Sequence, residues 1–185
     1  EIDLGRLFGF AFGHKENGAV FSHMAVMYSN ALYKRGFAKE GFKVINTLYK
    51  HCMDYTKSEI YPGVREYVNQ RGRGMYHYLT GAASWLLLTV LEEMYGIKGR
   101  LGALKFEPKL LADQFENNMA SARCMFRGVN IRVTYQNPFG LDAGQYRVNE
   151  IYIDGEKYEG ESEDTIAKED VDKLGDEAHI TVVLG

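Results

Sequence analysis

Long apolar runs are missing from this sequence: no uninterrupted stretch reaches the ~18 residues that a membrane-spanning helix requires. A stripe of Lys and Arg of the kind nucleic acid demands is missing too. Membrane and nucleic acid are therefore not the expected partners. Cysteine is scarce. Cys52 and Cys124 stand in different segments at no metal-ligand spacing, which fits a reduced compartment and leaves no metal site to read. Serine-nucleophile and P-loop patterns are absent as well. The chain starts Glu1-Ile2-Asp3, in mid-pattern and without a Met or signal peptide, so an excised piece of a longer protein is expected.

What is present is enough for one core. With 185 residues, 45% of them hydrophobic, the chain can bury one core and at most a small second layer. Thirteen tyrosines supply rings with polar rims, suited to packing, to an interface or to carbohydrate. Charge is uneven: residues 1–100 carry a net +4 and residues 101–185 a net −7. Much of that acid lies between Asp154 and Glu177, where a solvated loop with a short helical turn is expected.

The first half reads as helices. Val20, Met24, Met27 and Ala31 recur at spacings of 4, 3 and 4, predicting a helix from Ala19 to Arg35 with that stripe inward and Gly36 ending it. Phe42, Ile45, Tyr49 and Cys52 make a second stripe between Ala38 and Asp54. A loop follows, marked by Pro62-Gly63 and by Asn69-Gln70-Arg71-Gly72-Arg73-Gly74. The third helix is apolar on nearly every side from Trp85 to Tyr95, predicting burial all round, with Gly96 as its C′ residue and Ile97 folding back.

The second half reads as strands. Val129, Ile131, Val133 and Tyr135 alternate with polar residues, preceded by Ala120–Phe126 and an Arg127-Gly128 turn. Asp154-Gly155 signals a two-residue hairpin, and Ile180, Val182 and Leu184 mark a last strand. The expected class is α+β, helices followed by an antiparallel run, with a boundary near Gly99–Leu101 separating 1–99 from 100–185. Three helices, one buried all round, do not close a helical domain, so their partners are expected upstream.

Candidate chemistry gathers at two helix starts. Thr80 fits an N-cap, and Gly81 lets a neighbour approach the first free N–H groups, which favour an anion. The plainer reading is a cap against a close-packed neighbour. In residues 13–23, His23 falls on the inward stripe as either a hydrogen-bonded core residue or a ligand. Lys15-Glu16-Asn17-Gly18 crowds charge, amide and Gly at that helix entrance, with His14 beside it and His77 just before Thr80. Arg71 and Arg73 flank Gly72; they are solvated, or meet a hydroxyl-rich or anionic ligand where the loop folds over a pocket.

Taken in order, these segments resemble the inverting glycoside phosphorylases of the cellobiose and chitobiose phosphorylase family, glycoside hydrolase family 94. Residues 13–23 look like its Lys-Glu-Asn plus His segment, and Tyr78–Trp85 like its Leu-Thr-Gly segment. Residues 104–110, LKFEPKL, are similar to the strand entering its C-terminal β-domain, and residues 125–138 to the Arg-Gly hairpin that follows. The likeness runs through roughly residues 5–138 and fades beyond.

The resemblance implies the C-terminal helices of an (α/α)6 barrel followed by an antiparallel β-sandwich. It implies an enzyme, a glycosyltransferase that splits a β-linked disaccharide or oligosaccharide with inorganic phosphate and releases an α-glycosyl 1-phosphate. His23, Thr80 and Gly81 would then bind phosphate, and Glu16, Lys15 and Arg73 the sugar. Phosphate is itself an anionic nucleophile, so the protein has only to hold it in line, offset its charge and supply an acid to the leaving group. The family's acid is an upstream Asp that nothing here matches, and its upstream phosphate-gripping Arg is also absent. No catalytic residue is therefore expected in this chain, which alone should be inactive. No cofactor or metal is implied; phosphate is a co-substrate. A homodimer, the upstream part of the same polypeptide and a cytoplasmic location are expected. The alternatives are a non-catalytic carbohydrate-binding or interaction module, a phosphorylase-like module of a cyclic glucan synthase, and a hydrolase with water in place of phosphate.

Overall fold

The computed structural model describes residues 5, 7, 9–60, 63–76 and 81–185. Two compact units divide the chain, Glu1–Thr89 and Val90–Gly185. Helices and strands occur in both, an α+β architecture with three open sheets.

In the first unit, α1 (Ser22–Lys34) packs on α2 (Ala38–Met53). Their approach depends on small residues. A Cβ on Gly41 would lie 2.7 Å from Tyr33 Cδ2, and Ser29 Oγ donates to the Gly41 carbonyl at 2.8 Å. This corrects the expected stripe: the buried face of α1 is Ser22, Val26, Ser29, Asn30 and Tyr33, whereas Val20, Met24, Met27 and Ala31 are exposed. Two of the polar side chains on the inner face find partners there, Ser29 as above and Asn30, whose Nδ2 donates to Thr89 Oγ1 at 3.1 Å, while Ser22 Oγ and the Tyr33 hydroxyl have none among the described residues. On α2, Ile45 and Cys52 are buried as expected, while Tyr49 is exposed and Ala38 and Gly41 complete the inner face. A short α3 (Tyr55–Ser58) follows, its first turn capped by Asp54, which accepts from the Thr56 N–H at 3.1 Å.

Val20–Phe21, expected inside the first helix, is instead a strand, and with two short strands from the segment expected to be loop it makes a small antiparallel sheet of β1 (Val20–Phe21), β2 (Tyr67–Val68) and β3 (Gly74–Met75). Strands of two residues are too short for alternation to register. Next, α4 (Gly81–Leu88) runs into a π-helical turn, Thr89–Met94, closed by the Tyr95 N–H donating to Val90 O at 2.8 Å. Burial on all sides does not hold for this helix. Ala82, Thr89 and Glu93 are buried, but Leu87 and Leu88 are exposed, and no described element covers that side. Gly96 is left-handed as expected, at φ +66°, and a Cβ there would lie 2.1 Å from the Glu107 backbone.

In the second unit, β4 (Ile97–Arg100), β5 (Ala103–Phe106) and β10 (Thr165–Ile166) form an antiparallel sheet in the order β10-β5-β4. The Gly99–Leu101 boundary read from the sequence falls at the β4–β5 turn, and the compact units part earlier, between Thr89 and Val90. A five-stranded sheet comprises β6 (Met119–Phe126), β7 (Val129–Gln136), β8 (Val148–Ile153), β9 (Glu156–Lys157) and β11 (Glu177–Leu184). Its order is β6-β7-β11-β8-β9. The expected antiparallel run is corrected here. β11 enters between two oppositely directed strands, so it lies parallel to β7 (Ile180↔Val133) and antiparallel to β8 (Val182↔Ile151).

Both expected hairpins form on two residues with positive φ, Arg127-Gly128 and Asp154-Gly155. One buried cluster draws on both sheets, with Leu104, Phe106 and Ile166 from one and Val133, Ile180 and Val182 from the other. Each such side chain contributes roughly 1.5–3 kcal/mol by leaving water.

Candidate functional site

The start of α1 carries the first part of the candidate site. Ser22 is anchored by its N–H donating to the Glu66 carbonyl at 2.9 Å. His23, half-buried, turns toward α4 rather than following Val20 and Met27. A Cβ on Gly81 would lie 2.9 Å from His23 Cε1 and 3.0 Å from Nδ1, and the imidazole centroid is 5.9 Å from the Trp85 ring. The absent side chain at 81 thus admits an imidazole against the first turn of α4. His23 Nε2 is buried and has no hydrogen-bond partner among the described residues, and neither has Ser22 Oγ. An unsatisfied buried polar atom costs about 1–3 kcal/mol, so a ligand atom arriving there removes a standing penalty. His23 and Gly81 are brought together; Thr80 and His77 lie outside the described residues.

The Lys15–Gly18 segment is a tight turn. Gly13 N–H donates to Asn17 O at 2.6 Å, Asn17 N–H to His14 O at 2.9 Å, and Asn17 Nδ2 to Phe10 O at 2.8 Å. Lys15 takes a left-handed φ of +45° and reaches Glu66 Oε2 at 2.7 Å, its ammonium 4.1 Å from the Tyr76 ring centroid and 5.3 Å from that of Tyr67. Its charge is therefore fixed in place and offset by Glu66. Burial raises the Tyr67 hydroxyl above the usual tyrosine value, and that hydroxyl lies 3.4 Å from His14 Nδ1. Glu16 stands exposed on the turn. Glu66, Tyr67 and Tyr76 escaped the sequence reading, although the charged-aromatic order Arg65-Glu66-Tyr67 ahead of Val68 was a strand signal.

Arg73, the remaining sugar candidate, pairs with Glu59 at 3.2 Å on the surface, and Asn69 Oδ1 closes its loop by accepting from the Arg71 and Arg73 N–H groups at 2.9 and 3.1 Å. The arginine that the sequence did not single out is Arg65, fully buried. Its Nη1 bonds to His51 Nδ1 and its Nη2 donates to His51 O at 3.3 Å, while Nε has no partner among the described residues. Burial and the adjacent guanidinium hold His51 below the ordinary histidine value, and Nδ1, facing a guanidinium that can only donate, is the acceptor.

In the second unit, LKFEPKL divides its labour by alternation. Leu104, Phe106 and Leu110 enter the core, while Lys105, Glu107 and Lys109 join an ion-pair network. Lys98 bridges Glu107 at 2.9 Å and the buried Glu93 at 3.5 Å. Bonds from Lys105 and Lys98 bring the Glu107 carboxyl down to about 2. Among the described residues, no group of three or more His, Cys, Asp or Glu could hold a metal ion, and no helix is long and apolar enough to cross a membrane.

Two curated relatives are phosphorylases. The chain is 25% identical over 143 residues, 71% of its length, to cellobionic acid phosphorylase of Neurospora crassa. It is 26% identical to N,N'-diacetylchitobiose phosphorylase of Vibrio furnissii over an alignment that takes in 99% of the chain. These matches support a phosphorylase-like relationship at the level of disaccharide phosphorylases. The chain spans only 18% and 22% of the two relatives' own lengths. No family model matches it.

Proposed function

We propose that this chain is the C-terminal portion of an inverting glycoside phosphorylase that cleaves a β-linked disaccharide or oligosaccharide with inorganic phosphate to give an α-glycosyl 1-phosphate. The observation that carries the reading is the unpartnered, buried Nε2 of His23 beside the first turn of α4. Likeness to two phosphorylases gives that atom a natural ligand. His23, Thr80 and Gly81 hold phosphate; Lys15, Glu16 and Arg73 face the sugar. A phosphate oxygen attacks the anomeric carbon from the face opposite the leaving oxygen, which departs with a proton from a general acid outside this chain. In this reading the first unit completes an (α/α)6 barrel with upstream helices, the second is a β-sandwich, and the whole is a cytoplasmic homodimer needing no cofactor.

The test uses the full-length parent with α-glucose 1-phosphate and a panel of acceptor sugars, following release of inorganic phosphate. Release that depends on one acceptor and collapses in His23→Ala and Thr80→Ala supports the reading and names the acceptor. Sugar binding without release in any combination assigns the protein to the carbohydrate-binding modules instead. The 185-residue chain by itself should release none; steady release above a Glu16→Ala control overturns the division of labour.

A further inference from the structure

The outer face of the five-stranded sheet carries an arrangement that the fold does not require. Register sets Arg123 of β6 directly opposite Arg132 of β7, and Arg132 opposite His179 of β11. All three are exposed, with inward-facing neighbours on each strand. Like charges directly opposite each other destabilise a sheet. Elsewhere in this unit Lys98, Lys105, Lys109, Arg127, Lys157, Lys168 and Lys173 all meet a carboxylate within 4 Å, while Arg100 and Arg147 form no ion pair among the described residues but stand opposite no like charge in a strand register. Arg123 and Arg132 have no ion-pair partner among the described residues, although residues 101–185 carry a net −7. Acid abounds, and none of it is spent on this pair.

A depression of about 610 Å³ lies over the row, with Asp154 and Glu177 in its lining. Asp154 is committed, its Oδ1 accepting the His179 N–H at 2.8 Å. His179 Nε2 is 3.1 Å from Thr134 Oγ1, which in turn is 3.0 Å from Ser121 Oγ, so the ring is held on the face by a hydroxyl pair. We propose that Arg123, Arg132 and His179 form a binding site for a small, hydroxyl-rich oxyanion, a carboxylate- or phosphate-bearing sugar. Two guanidinium forks on adjacent strands suit the paired oxygens of either group. Asn130 and Glu177, cross-strand partners in the same depression, can hydrogen-bond sugar hydroxyls, Glu177 only as an acceptor whose own negative charge keeps an oxyanion on the arginine side. The site is independent of the His23 site and of the activity proposed above.

The test is residue-resolved amide NMR on the full 185-residue chain, titrated separately with D-glucuronate, glucose 6-phosphate and uncharged glucose. Saturable shifts confined to strands β6, β7 and β11 are expected with at least one anionic sugar, and its affinity should exceed that of glucose by roughly tenfold or more. The stronger arm identifies the group as carboxylate or phosphoryl. The shifts should vanish in Arg123→Gln/Arg132→Gln and persist in His23→Gln. Equal response to glucose, no saturation by roughly 10 mM, or shifts that survive the double substitution would overturn the site. A second reading is independent of any ligand. Arg132→Gln should raise the melting temperature of the unliganded chain by relieving the cross-strand repulsion; a fall would show that Arg132 serves the fold and would overturn the proposal.

Discussion

The two units spend their residues in opposite ways. In the second, strands from both sheets close on one apolar cluster, and the surrounding lysines are matched to carboxylates. In the first, Val26, Tyr33, Ile45 and Tyr67 share the inner positions with Ser22, Ser29, Asn30, Ser58, Arg65 and Thr89, while Phe12, Met24, Tyr28, Tyr49, Leu87 and Leu88 face outward. Stability is concentrated where apolar area is buried, and polar groups held in fixed positions are concentrated where it is not. The candidate site sits on the second kind of ground. Its most telling atom, His23 Nε2, is one that a well-satisfied core would have paired.

That contrast can be broken by experiment, and the largest effect belongs to the second unit's core. Leu104→Ala, at a fully buried position, should cost about 3 kcal/mol and lower the temperature at which the β-sheet circular dichroism is lost. The single tryptophan, Trp85, reports the first unit, and its fluorescence transition should come at lower temperature than the sheet signal. Coincident transitions would abolish the contrast. Next in size, Asn30→Ala strands the Thr89 hydroxyl in the first unit, for about 2 kcal/mol seen at Trp85.

Smaller is Glu107→Gln, which should lower the second unit's melting temperature at neutral pH by about 4 °C. The carboxyl is held down to about 2 from an ordinary 4.5, so its contribution is complete above the unfolded value and disappears as pH falls toward 2. Wild type and variant should therefore converge in acid. Smallest is the pH slope of the first unit. His51 is held below the ordinary 6.5, so the stability tied to its neutral form is present above that value and fades as pH falls beneath it. In His51→Gln, the Trp85 transition should lose that slope between pH 7 and 5; an unchanged slope would remove His51 from the account.

The second unit was far more legible in the sequence than the first. Val129–Tyr135 alternate because one face meets a core and the other meets water, and the two hairpin turns declare themselves by residues that tolerate positive φ. The parallel seating of β11 was not legible, since alternation marks a strand without naming its neighbours. On α1 the periodicity was real but misassigned: Val20, Met24, Met27 and Ala31 do share a face, and it is the exposed one. A hydrophobic stripe says that a face is apolar, not that this chain covers it. At the site, His23 and Gly81 could be named from their segments, but their contact could not, because 58 residues of chain separate them. Arg65 and Glu66 were hidden in a stretch whose strands are two residues long.

The order of strands in the larger sheet also bears on how this protein is made. β11, the last of the eleven in chain order, occupies the middle of the sheet, hydrogen-bonded to β7 on one side and β8 on the other. Until it is synthesised, β6-β7 and β8-β9 are two separate hairpins, each with an open edge aimed at a strand that does not yet exist. Such edges invite pairing with the wrong chain. Folding of this unit must wait for its latest residues and then close contacts of long sequence separation, the slow regime for small domains. The acidic stretch between Asp154 and Glu177, emerging just before that closing strand, surrounds the waiting hairpins with negative charge at the stage when association between chains is most probable.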